Sequence, residues 1–531
     1  MDVQRRTSDI VAQFSSSAAS AADLLCDRHP EAAVAFRFLA SDGSRTDLTY
    51  GDLAATSRSV ASGLRALGIR SGDRVATLAG KSVHLPALLL GIWRAGAVYV
   101  PLFTAFAADI VAERLFDSRA RVVIADAANI SKVPARPNLT LVTDAGGVSG
   151  AHSLKELLRH PDDGLPAHAT GGEQPIAHMF TSGTTGKPKG VVHPLTYLAG
   201  WQAYVELVLA VSPGSSFWCA ADPGWAYGLY TAILGPLAAG VPTLSVEGGF
   251  DPARTWAVLE SEAVTDFTAG PTVYRSLRAA GRPQAFRSSL RRLSSAGEPL
   301  TPDVSNWTLG EFGIPVHDHF GQTETGMTLG FPHLPQIAVH VEGRAMGAPL
   351  PGWTATVLEV DSNDDAPPDT VGRLAIDPAS PFMSFGGYAG AAESSSRFTA
   401  DGRWYLTGDL ASRDSDGVFH FVSRDDDIIL MAGYRIGPAD IETVLLTHPA
   451  VVECAIVAVP DEIRGEVIVA HVVLGDPAVT SDALTGELQD LVRTKYARHA
   501  YPRRVTYWPA LPKTPSGKIK RAELRAAEAG T

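Results

Sequence analysis

Between Leu48 and Leu102 the apolar positions alternate between two spacings. Tyr50, Leu53, Val60, Leu64 and Leu67 recur near helical spacing after the short strand-like LTYGDL, and Gly68 ends the run. Arg74–Leu78 and Ala97–Leu102 are short apolar runs that read as buried strands, with a helix from Ser82 to about Gly96 between them. The same alternation returns between residues 170 and 300, where VPTLSV, DFTAGP and LRRLSSAG read as buried strands, each after a helical stretch. This pattern predicts an α/β fold on mostly parallel sheets.

From about 350 to 423 the helices fade, and TATVLEV, GRLAI and VFHFV alternate with Gly, Asp and Pro turns. Beyond Arg424, AIVAV and VIVAHVVL alternate with helical stretches as a separate α+β domain would. The predicted organisation is a loose Ser/Ala-rich segment 1–24, then a large N-terminal domain 25–424. That domain holds two sheet–helix subdomains and a small β-barrel-like unit at about 350–423. A small mobile α+β C-terminal domain, 425–531, completes it. No repeat of 20–50 residues is visible.

Composition narrows the class. The 531 residues are 45% hydrophobic and 19% charged, an ordinary globular balance, and the net charge of −12 argues against a nucleic-acid partner. Cys26, Cys219 and Cys454 are odd in number and far apart, which gives no disulfide framework or zinc spacing and fits a cytoplasmic location. The apolar stretch from His84 to Phe103 is broken by Pro86, Arg94 and Tyr99, so no membrane span is expected. His317 and His319 form an HxH pair, but without a third and fourth ligand they make a poor metal site.

Residues 181–190 read TSGTTGKPKG after the apolar HMF. Gly183 and Gly186 permit the backbone angles that turn successive N–H groups into one concavity. Thr181, Ser182, Thr184 and Thr185 add hydroxyls, and Lys187 and Lys189 add charge, so the loop suits a polyphosphate. It is not a Walker A loop, because Lys187 is followed by Pro188 rather than Ser or Thr.

This string resembles the signature loop of the adenylate-forming superfamily: acyl-CoA synthetases, adenylation domains of peptide synthetases, and luciferases. Within it, the chain most resembles the acetyl-CoA synthetase-like and medium-chain acyl-CoA synthetase branches. Further resemblances follow in order over about residues 25–525. SSAGEPL at 294–300 is similar to the adenine-binding strand and turn, which implies Gly297, Glu298 and Pro299 at the base. DHFGQTETG at 318–326 is similar to the element at the α-phosphate and magnesium, which implies Asp318, His319, Phe320, Gly321, Gln322, Thr323 and Glu324 at the nucleotide, with Glu324 on Mg²⁺. YLTGDL resembles the ribose element, with Asp409 accepting from the hydroxyls. SRDDDIILMAGYRIGPADIE supplies Arg424, the hinge position Asp426, and Gly433 and Arg435 at the coenzyme A passage. PKTPSGKIKR carries Lys518 in the place of the catalytic lysine. LTYGDL and WRAGAVYVPL fit more weakly.

The chemistry agrees with these assignments. An ionised Asp409 is acceptor-only, which matches two vicinal hydroxyls. Glu324 is a hard oxygen ligand of the kind Mg²⁺ takes beside phosphates. An ammonium at Lys518 between a carboxylate and the α-phosphate stabilises charge on both in the transition state, with Thr323 and Glu324 as its catalytic companions. The resemblance implies ATP, Mg²⁺ and coenzyme A acting on a small-molecule acid: acyl-adenylate formation with pyrophosphate release, then rotation of the C-terminal domain and transfer to the thiol. Arg493 matches the spacing of a coenzyme A-contacting arginine, and Arg503 and Arg504 add charge nearby.

ADPGWAYG at 221–228 resembles the acyl-pocket segment, with Trp225, Ala226 and Tyr227 facing Ala296 and Gly321. Gly321 stands where acetate enzymes carry a bulky Trp. With Ala226 and Ala296 also small, the expected acid is larger than acetate: short- or medium-chain, or aryl. Tyr227 caps this space or blocks it. Two departures, Phe320 where relatives often carry Tyr and Cys219 where they often carry Asn, leave room for another acceptor. The alternatives are a loader of a separate carrier protein and a diazotase that activates nitrite for an aromatic amine. A homodimer is left open.

Overall fold

The computed structural model describes residues 2–169, 171–181, 189–341, 345–389, 397–427, 429–431, 434–461, 465–498, 500–514 and 518–529. They form two compact units. The first comprises Met1–Glu342, Met346–Thr354 and Asp377–Phe398, and the second Gly343–Ala345, Ala355–Ile376 and Thr399–Thr531. The β-rich stretch that the sequence reading attached to the N-terminal domain thus groups with the C-terminal segment.

The first unit is built on two mostly parallel sheets. A 7-stranded sheet runs in the order His152–Ser153, Thr140–Thr143, Ala120–Ala125, Arg74–Leu78, Val98–Pro101, Pro175–Thr181, Lys189–Pro194. Its last pair is antiparallel. In the second sheet, Val316–Gln322, Arg292–Ala296, Asp266–Ala269, Phe217–Cys219, Thr243–Val246 and Val34–Leu39 lie side by side and parallel. Trp218, Phe267, Tyr274, Leu293 and Val316 form the core beneath it.

Local chemistry explains these elements. Helix Tyr50–Ala66 starts at a capping box: Thr49 accepts from the Asp52 amide, and Asp52 accepts from the Thr49 amide at 2.9 Å. Gly68 follows the helix at φ 82°, a conformation a Cβ disfavours. The next helix begins at Leu85 rather than at the expected Ser82, because Pro86 has no N–H and fits only the first turn.

The expectation of a loose N-terminal segment is corrected. Val3–Ser15 is a helix capped by Asp2, with Ile10 and Phe14 fully buried. Arg6 donates to both carboxylate oxygens of Glu206 at 2.7 and 2.8 Å. The polar and small residues of the helix hid a face on which only Thr7, Ile10 and Phe14 are buried.

In the second unit, Ala355–Leu358, Gly372–Ile376, Tyr405–Arg413 and Phe419–Arg424 form an antiparallel meander. The turn Asp425–Asp427 follows. The long hairpin Val451–Asp461 and Gly465–Leu474 then carries Arg504–Tyr507 in parallel. Helices Pro438–Leu445 and Asp482–Lys495 cover it over Ile456, Ile468 and Leu488.

Candidate active site

In the first unit, the sequence-predicted residues gather where parallel strands end, the edge at which open α/β sheets take ligands. Ala296 closes strand Arg292–Ala296 and pairs with His319, and Gly297 follows at φ 94°. Glu298 is fixed by Arg275 at 2.9 Å and by the Thr272 hydroxyl at 3.0 Å. Cys219 pairs with Thr268 at the neighbouring strand ends, and Trp225, Ala226 and Tyr227 follow Cys219 by a short loop. Burial pushes the Cys219 thiol up to about 12, so it is inert at neutral pH.

The turn after Gln322 is clamped from below. His193 Nε2–H donates to the Thr323 carbonyl at 2.7 Å, and the Tyr197 hydroxyl donates to the same oxygen at 3.0 Å. Burial lowers His193 to about 3, so it is neutral, and its Nδ1 accepts from Tyr230 at 2.6 Å. Glu324 is 8% exposed and accepts from the Tyr388 hydroxyl at 2.7 Å. The Lys189 ammonium lies 5.1 Å over the Tyr388 ring, and Val191 bridges to Tyr388. His193, Tyr197, Tyr230 and Tyr388 were missed in the sequence, because positioning through a backbone carbonyl or a distant phenol leaves no local spacing.

Thr181 ends its strand opposite Lys189. Ser182, Gly183, Thr184, Thr185, Gly186 and Lys187 lie outside the described residues, as does Gly433, and so do the side chains of Asp426 and Arg435.

Gly321 differs from expectation. A Cβ there would stand 2.3 Å from the Gly326 carbonyl and 2.8 Å from Met327 Sδ. The strand bulges between Phe320 and Gly321, and Met327 takes the room that a missing side chain was expected to leave. Ala226 and Ala296 remain as the small residues. Gly228 is a second close approach: a Cβ would lie 2.0 Å from the Asp222 carbonyl. Gly228→Ala is expected to lower stability by about 1–3 kcal/mol through overpacking and to displace the Trp225 loop, read by denaturant unfolding and by intrinsic fluorescence. Unchanged unfolding would refute the close approach.

Asp318 is a buried carboxyl. Its Oδ2 accepts from the Leu300 amide at 3.4 Å, its buried Oδ1 has no partner among the described residues, and burial pushes the carboxyl up to about 8. An unfolded aspartate ionises near ~3.9. Between these values the folded chain binds more protons than the unfolded one, so stability falls as pH rises. Asp318→Asn removes that slope. Its Tm relative to the parent is expected to climb from pH 5 to 8, and a constant difference would contradict the assignment.

The pair His317 and His319 serves the fold. His317 stacks on His333 at 3.8 Å, and both His317 Nδ1 and His319 Nε2 donate to the Phe331 carbonyl, at 2.7 and 3.1 Å.

In the second unit, Asp409 faces Arg424 across the meander and accepts from its Nη1 at 2.9 Å. Asp409 is 3% exposed. Burial raises its carboxyl, while Arg424, Thr407 and Lys518 act in the opposite sense. Lys518 is exposed on a loop whose neck is closed by Thr514 N–H to Lys518 O at 2.7 Å and Lys518 N–H to Thr514 Oγ1 at 3.1 Å. Lys513 and Lys520 are held in ion pairs with Glu453 and Glu523, each at 2.7 Å. Arg493 pairs with Asp490 at 2.5 Å and stacks 3.7 Å over Tyr501. Arg503 also stacks at 3.7 Å over Tyr501, and Arg504 pairs with Glu528.

Residues 24–388 match the AMP-binding enzyme family and residues 440–518 the AMP-binding enzyme C-terminal domain. The chain is 33% identical to the acetyl-coenzyme A synthetase of Bacillus subtilis (strain 168) over 90% of its own length and 85% of that protein's. It is 33% identical to the mitochondrial acyl-coenzyme A synthetase ACSM3 of Homo sapiens, over 93% and 86% of the two chains. Among solved structures, the Brucella canis acyl-CoA synthetase is 38% identical with a TM-score of 0.75, covering 98% of this chain and 99% of the other. A benzoate CoA ligase from Burkholderia xenovorans LB400 is 28% identical with a TM-score of 0.83, over 95% and 99%. The chain therefore belongs to the AMP-binding enzyme family, in the acyl-CoA synthetase group of the adenylate-forming superfamily. It is an AMP-forming acid–thiol ligase that activates an acid with ATP and transfers it to coenzyme A. Among the described residues no helix is long and apolar enough to cross a membrane.

Proposed function

We propose that the acid is larger than acetate, a short- or medium-chain or aryl acid, held between Trp225, Ala226, Tyr227 and Ala296. The observation that supports this is that Ala296 pairs with His319 at the ends of parallel strands, and that the segment carrying Trp225, Ala226 and Tyr227 follows Cys219 in the same sheet. Each further buried CH₂ contributes about 0.8 kcal/mol. In this reading, Gly297–Pro299 and Asp318 take the adenine, Asp409 and Arg424 the ribose, and the 181–190 loop the phosphates. Gly433, Arg435 and Arg493 serve the thiol substrate after the C-terminal domain turns about Asp426.

Thr323 and Glu324 face the α-phosphate. Among the described residues no group of three or more His, Cys, Asp or Glu could hold a metal. A single carboxylate at Glu324 fits Mg²⁺ that comes bound to ATP, since that ion is usually held by one or two carboxylates plus phosphate oxygens. Bound there, it would neutralise phosphate charge. The protein's own part is to fix Glu324 through Tyr388, to fix Thr323 through His193 and Tyr197, and to place Lys518 between the two anions, where its charge offsets their repulsion.

The test is pyrophosphate and AMP release over a panel of acids, with and without coenzyme A, with nitrite plus an aryl amine as a further arm. Turnover of propionate, butyrate or benzoate above acetate by kcat/KM is expected, with AMP release requiring coenzyme A. Acetate as the best acid would refute the pocket, and coenzyme A-independent turnover would favour another acceptor.

A further inference from the structure

At the Tyr227 end of the acyl pocket the hydroxyl groups form a chain with a fixed direction. Tyr227 Oη lies 3.1 Å from Tyr204 Oη, and Tyr204 Oη lies 2.8 Å from His319 Nδ1. His319 Nε2 lies 3.1 Å from the Phe331 carbonyl. A carbonyl only accepts, so Nε2 carries a hydrogen. His319 is 2% exposed, and burial lowers it to about 3, so the ring is neutral and has one N–H. Its Nδ1 is then an acceptor, and Tyr204 O–H is the donor that reaches it. Tyr204, having given its hydrogen to His319, can only accept from Tyr227.

The phenol hydrogen of Tyr227 is thereby turned away from the pocket. Its oxygen keeps only lone pairs for anything in front of it. Thr268 places its hydroxyl beside Tyr227 and, as a donor to the phenol oxygen, takes one of its lone pairs and leaves the other toward the pocket. Tyr204 and His319 are buried, whereas Tyr227 is half-buried, so the chain starts at the pocket and runs inward.

We infer that the enzyme selects acids carrying a hydrogen-bond donor, a hydroxyl or amino group, at the end remote from the carboxylate, and that the Tyr227 oxygen accepts from it. This rests on the pocket assignment proposed above. An acid with a methyl group there leaves the remaining acceptor site of the phenol oxygen unused, and one with a methoxy or keto group sets lone pairs against lone pairs. One added hydrogen bond typically contributes about 0.5–1.5 kcal/mol, so the donor-bearing acid should lead its methyl isostere by up to about tenfold.

The test uses acids in isosteric sets on benzoate and alkanoate frames, bearing amino, hydroxyl, methyl or methoxy at each position, with kcat/KM from pyrophosphate release. The expected result is at least one position where amino or hydroxyl leads both methyl and methoxy about tenfold. Tyr204→Phe gives a sharper readout: with its acceptor gone, the Tyr227 O–H is free to turn outward, and the preference swings toward the methoxy acid. A donor-to-methyl ratio near one at every position in the parent enzyme would overturn the inference, with or without a foldable variant, while leaving acid activation intact. Absence of pyrophosphate release with every acid would instead overturn the pocket assignment beneath it.

Discussion

Lys518→Ala is expected to lower acyl-adenylate formation on the order of 10²–10³-fold while largely sparing thioester formation from supplied acyl-adenylate and coenzyme A. In the first half-reaction a carboxylate attacks an anionic phosphorus, and in the role proposed for Lys518 one ammonium offsets both charges. The second half-reaction joins a thiol to an acyl carbonyl, where that ammonium has no comparable work. The loop around Lys518 is held by backbone contacts to Thr514, which the substitution leaves in place. Lys513 and Lys520 are engaged with Glu453 and Glu523. The two half-reactions are separated by following pyrophosphate release and by supplying the adenylate. Equal losses in both would count against an arrangement in which the C-terminal domain withdraws the lysine.

Asp409→Ala is expected to act on both stability and nucleotide binding. The carboxylate is 3% exposed and receives Arg424 at 2.9 Å. Removing one partner of a buried pair costs about 3–5 kcal/mol, and the 29% exposure of Arg424 puts this case at the lower end. With Asp409 in its proposed place at the ribose, AMP affinity should fall by at least tenfold, because two hydroxyls lose a shared acceptor. Asp409→Asn, which keeps the shape but adds donors, should retain more stability than Ala and still bind AMP poorly. Denaturant unfolding and calorimetric titration measure the two effects. Unaltered AMP binding in both variants would remove Asp409 from the nucleotide site.

Candidate site residues that lie in short contiguous strings stood out in the chain: the glycine turn after Ala296, the run 318–326, Asp409, and the lysine between Thr514 and Lys520. So did strands buried on both faces, such as Arg74–Leu78, whose unbroken apolar runs have one structural meaning. What could not be read depends on residues far apart in the chain. Tyr388 reaches Glu324 across 64 positions, and His193 reaches Thr323 across 130. Gly321 shows the converse: the missing side chain suggested open space, but the return strand brings Met327 into it. The helix Val3–Ser15 was obscured because only Ile10, Phe14 and Thr7 are buried among many small and polar neighbours.

The hairpin formed by Pro175–Thr181 and Lys189–Pro194 bears on how mutational data should be interpreted. Val191 bridges to Tyr388, Lys189 lies over the same ring, and the phenol ends on Glu324. A change in the return strand of that hairpin therefore tilts the acidic side chain as well as the loop it borders. Kinetic defects from substitutions at Lys189 or Val191 would mix two origins, the strand itself and the Glu324 side chain that Tyr388 holds.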